Sequence, residues 1–139
     1  MSHQPIEELD VFVLFEEIAT WVWQSVHSWD SFAKRTIGEQ LVRAIDSVNA
    51  NLVEADGRYT ANDSIRFFII ARGSARESRL WMKRAISRNL IEAQIGEETL
   101  QKLERATKLL NLLVNYRRKS AQSALVKEET ETYRGNWSA

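Results

Sequence analysis

The sequence predicts an all-α protein, an up-down-up-down antiparallel four-helix bundle. Apolar residues recur at three- and four-residue steps along four segments, which is the period of a helix with one buried face. The only proline, Pro5, precedes the first segment, and no Asn-Gly dipeptide marks a β-hairpin. A chain of 139 residues is long enough for one domain with its own core.

The first two predicted helices each carry a broad apolar face. In the first, apolar side chains follow helical spacing at Val11, Leu14, Ile18, Val22 and Val26. The second runs from about Thr36 to Ala55 and stops near Gly57, a residue typical of a helix C-terminus. Its apolar positions are nearly heptad: Ile37, Leu41, Ile45, Val48, Leu52 and Ala55. Residues 57–61 are predicted to form the loop that follows.

The third and fourth helices have predicted starts of different kinds. Asn62 or Asp63 is expected to cap the third helix, which extends to about Arg88. Gly96 and the two glutamates after it are expected to introduce the fourth. Its apolar face is built on Leu100, Leu103, Thr107, Leu110 and Val114.

Composition divides the chain and excludes several classes of protein. Residues 1–119 are expected to form the bundle domain, and residues 120–139, which lack an apolar period, a polar and mobile tail. Without cysteine the chain has no disulfide framework and no zinc–thiolate site. No apolar run approaches the ~18 residues of a membrane span, and the chain begins acidic where a signal peptide is basic. We therefore expect a cytoplasmic protein that does not bind membranes.

The spacing of histidines and carboxylates predicts a protein that is not an enzyme and binds no metal or cofactor. A di-metal site in a bundle needs Glu-x-x-His pairs, and neither His3 nor His27 has a glutamate three residues before it. His27, at a predicted helix end, is interpreted as a surface residue or a partner of the helix dipole. No phosphate-binding or dinucleotide-binding glycine pattern is present.

A helical wheel of the third helix predicts one face of mostly small residues turned toward the bundle. That face consists of Phe67, Ala71, Ser74, Ala75, Ser78, Met82 and Ala85. A glycine inside a helix costs roughly 1 kcal/mol relative to alanine. We therefore expect Gly73 and Ser74 to mark a close approach between helices, with a tryptophan such as Trp21 or Trp23 filling the space.

The cations of the third helix fall into two groups separated by apolar residues. The basic stripe lies within a band of about 60° and consists of Arg72, Arg76, Arg79 and Lys83. The second group, on another side, consists of Arg66, Arg84 and Arg88. Between them lies the apolar strip, Ile69, Ile70, Leu80 and Trp81. Because this strip would be exposed in a monomer, we expect it to pack against another subunit.

The net charge of zero conceals an asymmetry along the chain. Residues 1–30 carry six acids and no Lys or Arg, so the remaining chain carries all 19 basic residues and 13 of the 19 acids (19 − 6). This division fits a surface for nucleic acid. It fits equally well a pair of complementary faces that meet within one protein or between protomers.

Two stretches of the sequence resemble the signature of a known family. They are AIDSVNANLVEADGR, residues 44–58, and FFIIARGSARE, residues 67–77. These stretches are similar to the paired motifs of the four-helix bundle protein family, also called the 23S rRNA intervening-sequence protein family. The matching positions are Ser47, Val48, Asn51, Glu54, Gly57 and Arg58 in the first, and Phe67, Phe68, Ile70, Ala71, Gly73, Ser74 and Glu77 in the second. Asn49 and Ala55 replace the proline and the glycine of the family motif.

The resemblance covers about residues 9–116 and implies a bundle that assembles into a ring, typically a homopentamer. It implies no known activity. A related bundle is the accessory protein of diversity-generating retroelements, which binds a reverse transcriptase and nucleic acid.

The matched polar residues are interpreted as a structural clamp. Asn51 and Glu54 lie one turn apart, Glu54 and Arg58 are four residues apart, and Glu77 is expected to meet an arginine or Asn51 across the bundle. Because a helix end must satisfy its free backbone groups, we expect a buried polar clamp at one end of the bundle. Ligand binding by the same residues is the alternative.

Two functions follow from these patterns. In the first, a homo-oligomeric adaptor or assembly protein holds the phosphates of RNA or DNA by charge, through the basic stripe together with Arg84 and Arg88. In the second, a purely protein–protein scaffold pairs its basic third helix with the acidic first helix of a neighbouring protomer. The acids of that first helix are Glu7, Glu8, Glu16 and Glu17.

Overall fold

The computed structural model describes residues 4–137, with side chains described as far as residue 134. A 3-10 turn at Ile6–Glu8 leads into four helices. They are α1, Asp10–His27; α2, made of Ser31–Ala33, a π-helical stretch at Lys34–Gly38 and Glu39–Asp56; α3, Ala61–Ser87; and α4, Ala93–Trp137. His3 lies outside the described residues.

The helices form a closed square of neighbours. Each helix packs against the next one along the chain, and α1 also packs against α4. Across residues 4–137 the diagonal pairs, α1 with α3 and α2 with α4, make no close backbone approach. Short connections make consecutive helices antiparallel. The predicted all-α, up-down-up-down four-helix bundle is therefore confirmed.

The core draws one buried stripe from each helix. Its largest fully buried side chains include Phe15 of α1, Leu41 of α2, Phe68 of α3, and Leu103 and Leu110 of α4. The stripe predicted for α1 is buried except at Leu14, which is half-buried. Full burial of one such side chain contributes about 1.5–3 kcal/mol, so the match between spacing and burial is the main reason that this sequence adopts the bundle.

The starts of α3 and α4 differ from the predicted ones. Thr60 has an extended backbone, and its Oγ1 atom accepts a hydrogen bond from the backbone N–H of Asp63 at 3.2 Å, so Thr60 is the N-cap of α3. The prediction of Asn62 or Asp63 is wrong, because both residues already lie inside the helix. Helix α4 begins at Ala93, so the predicted start at Gly96 is also wrong.

Gly96 instead marks a close approach between α3 and α4. A Cβ atom at Gly96 would lie 2.6 Å from Cγ1 of Ile86 and 3.1 Å from Cγ2 of Ile91. Gly38 has the same role between α1 and α2, since its Cβ atom would lie 2.7 Å from Cγ1 of Val26. Both glycines are buried, and a larger residue at either position would need its neighbours to move.

The end of α3 matches the prediction of about Arg88, because the helix ends at Ser87 with Arg88 as its C-cap. Asn89 has a φ of 61°, a left-handed conformation that asparagine tolerates. The N–H groups of Asn89 and Leu90 donate to the carbonyls of Ile86 and Ala85, at 3.1 and 2.9 Å. These two hydrogen bonds form a Schellman motif, which turns the chain toward α4.

Helix α4 continues beyond the part that the bundle buries. Ala121 is half-buried, and every side chain described from residue 122 to residue 134 is exposed. The described part of the predicted polar tail is thus helical, and its mobility stays a prediction. No helix within residues 4–137 combines the length and the apolar character needed to cross a bilayer.

Candidate nucleic-acid interface

The buried face of α3 has the predicted residues except at its start, where Phe68 is buried in place of Phe67. The positions from Ala71 to Ala85 on that face are buried, but at its start Phe68 is buried and Phe67 is half-buried. Phe67 lies at the edge of the face, beneath two arginines: the Cζ atoms of Arg58 and Arg66 lie 4.3 and 5.0 Å from its ring centroid. These cation–π contacts hold the two guanidinium groups against the half-buried ring at the side of the bundle.

Gly73 does not mark a close approach within the bundle, so that prediction is wrong. It is exposed, and a Cβ atom built on it would meet nothing within 4 Å. At about 100° per residue, Gly73 lies on the opposite side of α3 from the buried Ala75. Ser74, one residue on, is buried and shares a hydrogen bond of 2.6 Å with Ser47 of α2. Ser74 therefore belongs to the contact between α2 and α3.

The basic stripe runs along the side of α3 that faces α4. Arg79 donates from Nε to Oε1 of Glu104 on α4 at 3.2 Å. Arg76 and Lys83 are exposed and Arg72 is half-buried. Between residues 4 and 134, these three side chains have no ion-pair partner within 4 Å. Three of the four cations in the stripe therefore remain unneutralised in the chain.

Lys108 of α4 extends the positive charge of the stripe. It lies one turn after Glu104, while Arg76 lies one turn before Arg79. Because α3 and α4 are antiparallel, Arg76 and Lys108 lie at the same level of the bundle, on adjoining edges of the two helices. We call the basic stripe together with Lys108 the basic face. The sequence alone missed Lys108, since its position depends on the register between α3 and α4.

The second group of cations is separate from the basic face. The Cζ atom of Arg84 lies 4.9 Å from the ring centroid of Trp81, and Arg66 pairs with Asp63 at 3.0 Å. Arg88, the C-cap of α3, is exposed. Arg84 and Arg88 are thus placed away from the stripe, as the wheel predicted, and they enlarge the positive surface of α3 rather than the basic face itself.

The predicted apolar strip is only partly exposed. Ile70 and Leu80 are 44% and 45% exposed, whereas Ile69 and Trp81 are half-buried and pack on the core. Gly73 lies between Ile70 and Leu80 on this outward side of α3. Glu77, which is also exposed, lies one turn after Gly73 on the same side, so Ile70 and Leu80 are separated by bare backbone at Gly73 and by the Glu77 side chain. The bare backbone allows another surface to approach closely at Gly73.

Glu77 does not cross the bundle as predicted. It is exposed, and its Oε1 atom accepts a hydrogen bond from Nε1 of Trp81 on the same helix at 3.3 Å. The expected contact with an arginine or with Asn51 is wrong, because Glu77 is exposed on the outward side of α3 and its carboxylate is held by Trp81. Asn51 itself donates to the carbonyl oxygen of Ser47 at 2.7 Å and to its Oγ at 3.2 Å.

The expected clamp exists at the turn between α2 and α3 with two of its predicted members, Glu54 and Arg58, while Asp63 takes the place of Asn51 and Glu77. Arg58 pairs with Glu54 and, at 3.6 Å, with Asp63. These side chains are about one-third to one-half exposed, so the clamp is not buried as predicted. Gly57 is the C-cap of α2 with a φ of −88°, an ordinary helical value. The clamp ties the end of α2 to the start of α3 and leaves the basic face open.

Acidic side chains collect on the other side of the bundle, on α1 and α2. Asp46 is exposed on the surface of α2; partial desolvation by its neighbours, and then the nearby Glu16, raise the pKa of its carboxyl group above the ordinary value. Asn49 of α2 donates from Nδ2 to the carbonyl oxygen of Phe12 and to Oε1 of Glu16, each at 3.0 Å. Glu17 pairs with Lys102 of α4 at 2.5 Å. The charge division seen along the sequence therefore becomes a division between faces.

A metal site is not apparent in the described part of the chain. No group of three or more His, Asp or Glu side chains within it is placed to hold an ion. The absence of a cofactor stays a prediction.

The family profile described as 23S rRNA-intervening sequence protein matches residues 7–112. The chain belongs to this family. A structure with the same fold is that of a protein of unknown function from the S23 ribosomal protein family of Bacteroides thetaiotaomicron, with a TM-score of 0.66 and 22% sequence identity. The match covers 75% of this chain and 97% of that one. No curated protein is significantly similar to the chain. The family match ends inside α4, so the last part of that helix lies outside it.

Proposed function

We propose that this member of the 23S rRNA-intervening sequence protein family is a non-enzymatic, homo-oligomeric adaptor or assembly protein that associates with nucleic acid in the cytoplasm. The observation that carries the proposal is the basic face. Its five cations lie along two adjoining helices, and Glu104 is the acid that contacts them among the described residues.

The electrostatics of the basic face favour an anionic partner. Neighbouring like charges on a helix repel by a few tenths of a kcal/mol per pair when exposed, as roughly estimated from model helices. Arg76 and Lys108 add a repulsion between α3 and α4 at the same level. Phosphates relieve this repulsion, and a row of cations on a rigid helix contacts a phosphate backbone without reading bases.

The outward side of α3 supports self-assembly. The exposed Ile70 and Leu80 flank Gly73, whose missing side chain serves no contact inside the chain. A glycine in a helix costs roughly 1 kcal/mol relative to alanine, and a second subunit packed against this backbone would offset that cost. The family resemblance makes a ring, typically a pentamer, the expected form.

A salt titration of binding tests the proposal. We expect the protein to bind RNA or DNA with an affinity that falls linearly with the logarithm of salt concentration. The double variant with Arg76→Gln and Lys108→Gln should flatten that slope. The control is a double variant with Arg35→Gln and Arg43→Gln, which removes the same charge from α2 and should leave the slope unchanged. Binding that is absent at low salt, or equal slopes for the two variants, would reject the nucleic-acid role.

The acidic side of the bundle supports a second candidate, the protein–protein scaffold. Among residues 4–134, neither Asp46 nor Glu16 has an ion-pair partner within 4 Å, and desolvation and the nearby Glu16 raise the pKa of Asp46. The basic face of a neighbouring protomer would compensate them, through a heterologous contact of the kind that closes rings. In that case the double variant weakens the oligomer and leaves nucleic-acid binding unchanged.

A further inference from the structure

The outward side of α4 carries a second regular pattern. We call it the outer stripe; it follows alternating four- and three-residue steps at Leu112, Tyr116, Lys119, Ser123, Val126 and Thr130. Its three apolar members are strongly exposed: Leu112 at 65%, Tyr116 at 67% and Val126 at 60%. Such spacing is the seam of a two-helix coiled coil.

The part of the chain that the structure describes does not cover this stripe. The bundle buries a different side of α4, through residues such as Leu110 and Val114. From residue 122 onward the described side chains of α4 are all exposed. In proteins, most of the stability of a helix comes from the tertiary packing of one of its faces. The projecting end of α4 thus lacks the packing that normally keeps such a segment helical.

We propose that the outer stripe is covered by α4 of a second copy of this chain, in an antiparallel pair centred on residue 121. The stripe is symmetric about that centre, so a two-fold axis there pairs its members with one another. Leu112 faces Thr130 of the second copy, and Tyr116 faces Val126. Lys119 faces Ser123, and this polar pair in the seam sets the register.

The charges of α4 decide the direction of the pair. Residues 105–119 carry five cations and no acid, and residues 128–131 carry three glutamates. A parallel pair places the glutamates against glutamates and the cations against cations. The antiparallel pair centred on residue 121 places residues 128–131 against residues 111–114, which are themselves uncharged and lie between Lys108 and Arg117. The antiparallel direction thus avoids the like-charge contacts of the parallel one and brings the glutamates within about one turn of Lys108 and Arg117, and charge across a coiled coil sets its orientation.

The pairing does not depend on the proposed nucleic-acid role. It uses a face of α4 beyond the basic face, and most of its seam lies after residue 112, where the family match ends. It adds a contact between two copies, or between two rings, that the strip on α3 does not supply.

Cysteine cross-linking tests both the contact and its direction, without background because the chain has no cysteine. Tyr116→Cys and Val126→Cys are prepared as separate full-length proteins and oxidised alone and mixed. Within one helix these positions are about 15 Å apart along the axis, so an antiparallel pair cross-links only in the mixture. Cross-linking of either variant with itself would show a parallel pair, and no cross-linking at all would show no pair; both results overturn the proposal.

Matched lysine variants test whether the contact holds the assembly together. Val126→Lys places a charge in the seam, and Leu125→Lys places the same charge one residue away at a similarly exposed position, 60% against 55%. Sedimentation should show half the native mass for Val126→Lys and the native mass for Leu125→Lys, with the helix content of both checked by circular dichroism. Equal masses for the two variants would contradict the proposal. This includes the outcome in which Val126→Lys weakens nucleic-acid binding without changing the mass.

Discussion

The Nε atom of Arg79 on α3 lies 3.2 Å from the Oε1 atom of Glu104 on α4. This pair marks the level at which the two helices meet, and from that level follows the position of Lys108 beside Arg76. Both side chains are about half exposed, so the pair contributes less than about 1 kcal/mol to stability. Its main effect is to neutralise one cation of the basic face.

Removing Glu104 should strengthen nucleic-acid binding with little effect on folding. In Glu104→Gln, Arg79 becomes available to a phosphate, so the salt slope of binding should steepen by up to about one contact. The control is Glu39→Gln, which releases Arg43 on α2 and should leave the slope unchanged. A weaker affinity for Glu104→Gln, measured by filter binding, would argue against phosphates on this face.

Replacement by alanine should change the stability of the protein in opposite directions at Gly96 of α4 and Gly73 of α3. Gly96→Ala places a Cβ atom against Ile86 and should lower the free energy of unfolding by about 1–3 kcal/mol. Gly73→Ala meets nothing and should raise the stability of the isolated chain by up to roughly 1 kcal/mol. Urea unfolding at low protein concentration measures both, and a large loss at Gly73 would mean that α3 is rotated from the position described.

The cap of α3 gives a local test of the turn between α2 and α3. Thr60→Ala removes the acceptor of the Asp63 N–H and should cost about 0.5–2 kcal/mol. Asn62→Ala, the neighbouring change inside the helix, should be nearly neutral. Thermal melting compares the two variants, and equal losses would show that Thr60 does not cap the helix.

Asp46 should contribute more to the stability of the bundle in mild acid than at neutral pH. Its pKa in the folded protein is raised by partial burial and by Glu16, so the folded state holds the proton more strongly than the unfolded chain. The free energy of unfolding therefore falls as pH rises from the unfolded pKa through the folded one. Asp46→Asn should be more stable than the native protein at about pH 7 and should lose this dependence. Urea titrations at several pH values check it, and a less stable Asp46→Asn at neutral pH would contradict it.

Much of the fold was predictable because it depends on spacing within single helices. The apolar periods of α1 and α3 located their buried faces, with errors only at edge positions such as Leu14 and Phe67. The end of α3 near Arg88 was equally local. In each case the residues that decide the structure lie within a few turns of one another.

Features that depend on how two helices meet were not predictable in this way. Gly96 looked like the start of a helix, and its role became clear only once Ile86 of α3 lay against it. Because glycine has a low helix propensity, Gly73 suggested close packing inside the bundle, although the residue faces outward. The pair between Arg79 and Glu104, and the placement of Lys108, both need the register of α3 against α4. The outer stripe of α4 was missed because polar residues interrupt its apolar period.

The subunit mass and the salt dependence of binding, measured on one variant, test the central claim most directly. The variant Arg72→Gln, Arg76→Gln, Lys83→Gln removes the three unpaired cations of the basic stripe. Its control is Lys34→Gln, Arg35→Gln, Arg43→Gln, with the same charge change on α2. If the basic face holds phosphates, the variant keeps the native mass and its salt slope falls by up to about 2.7 for duplex nucleic acid, while the control keeps both. A variant that loses mass and keeps its binding slope would contradict the nucleic-acid role and assign the basic face to a neighbouring protomer.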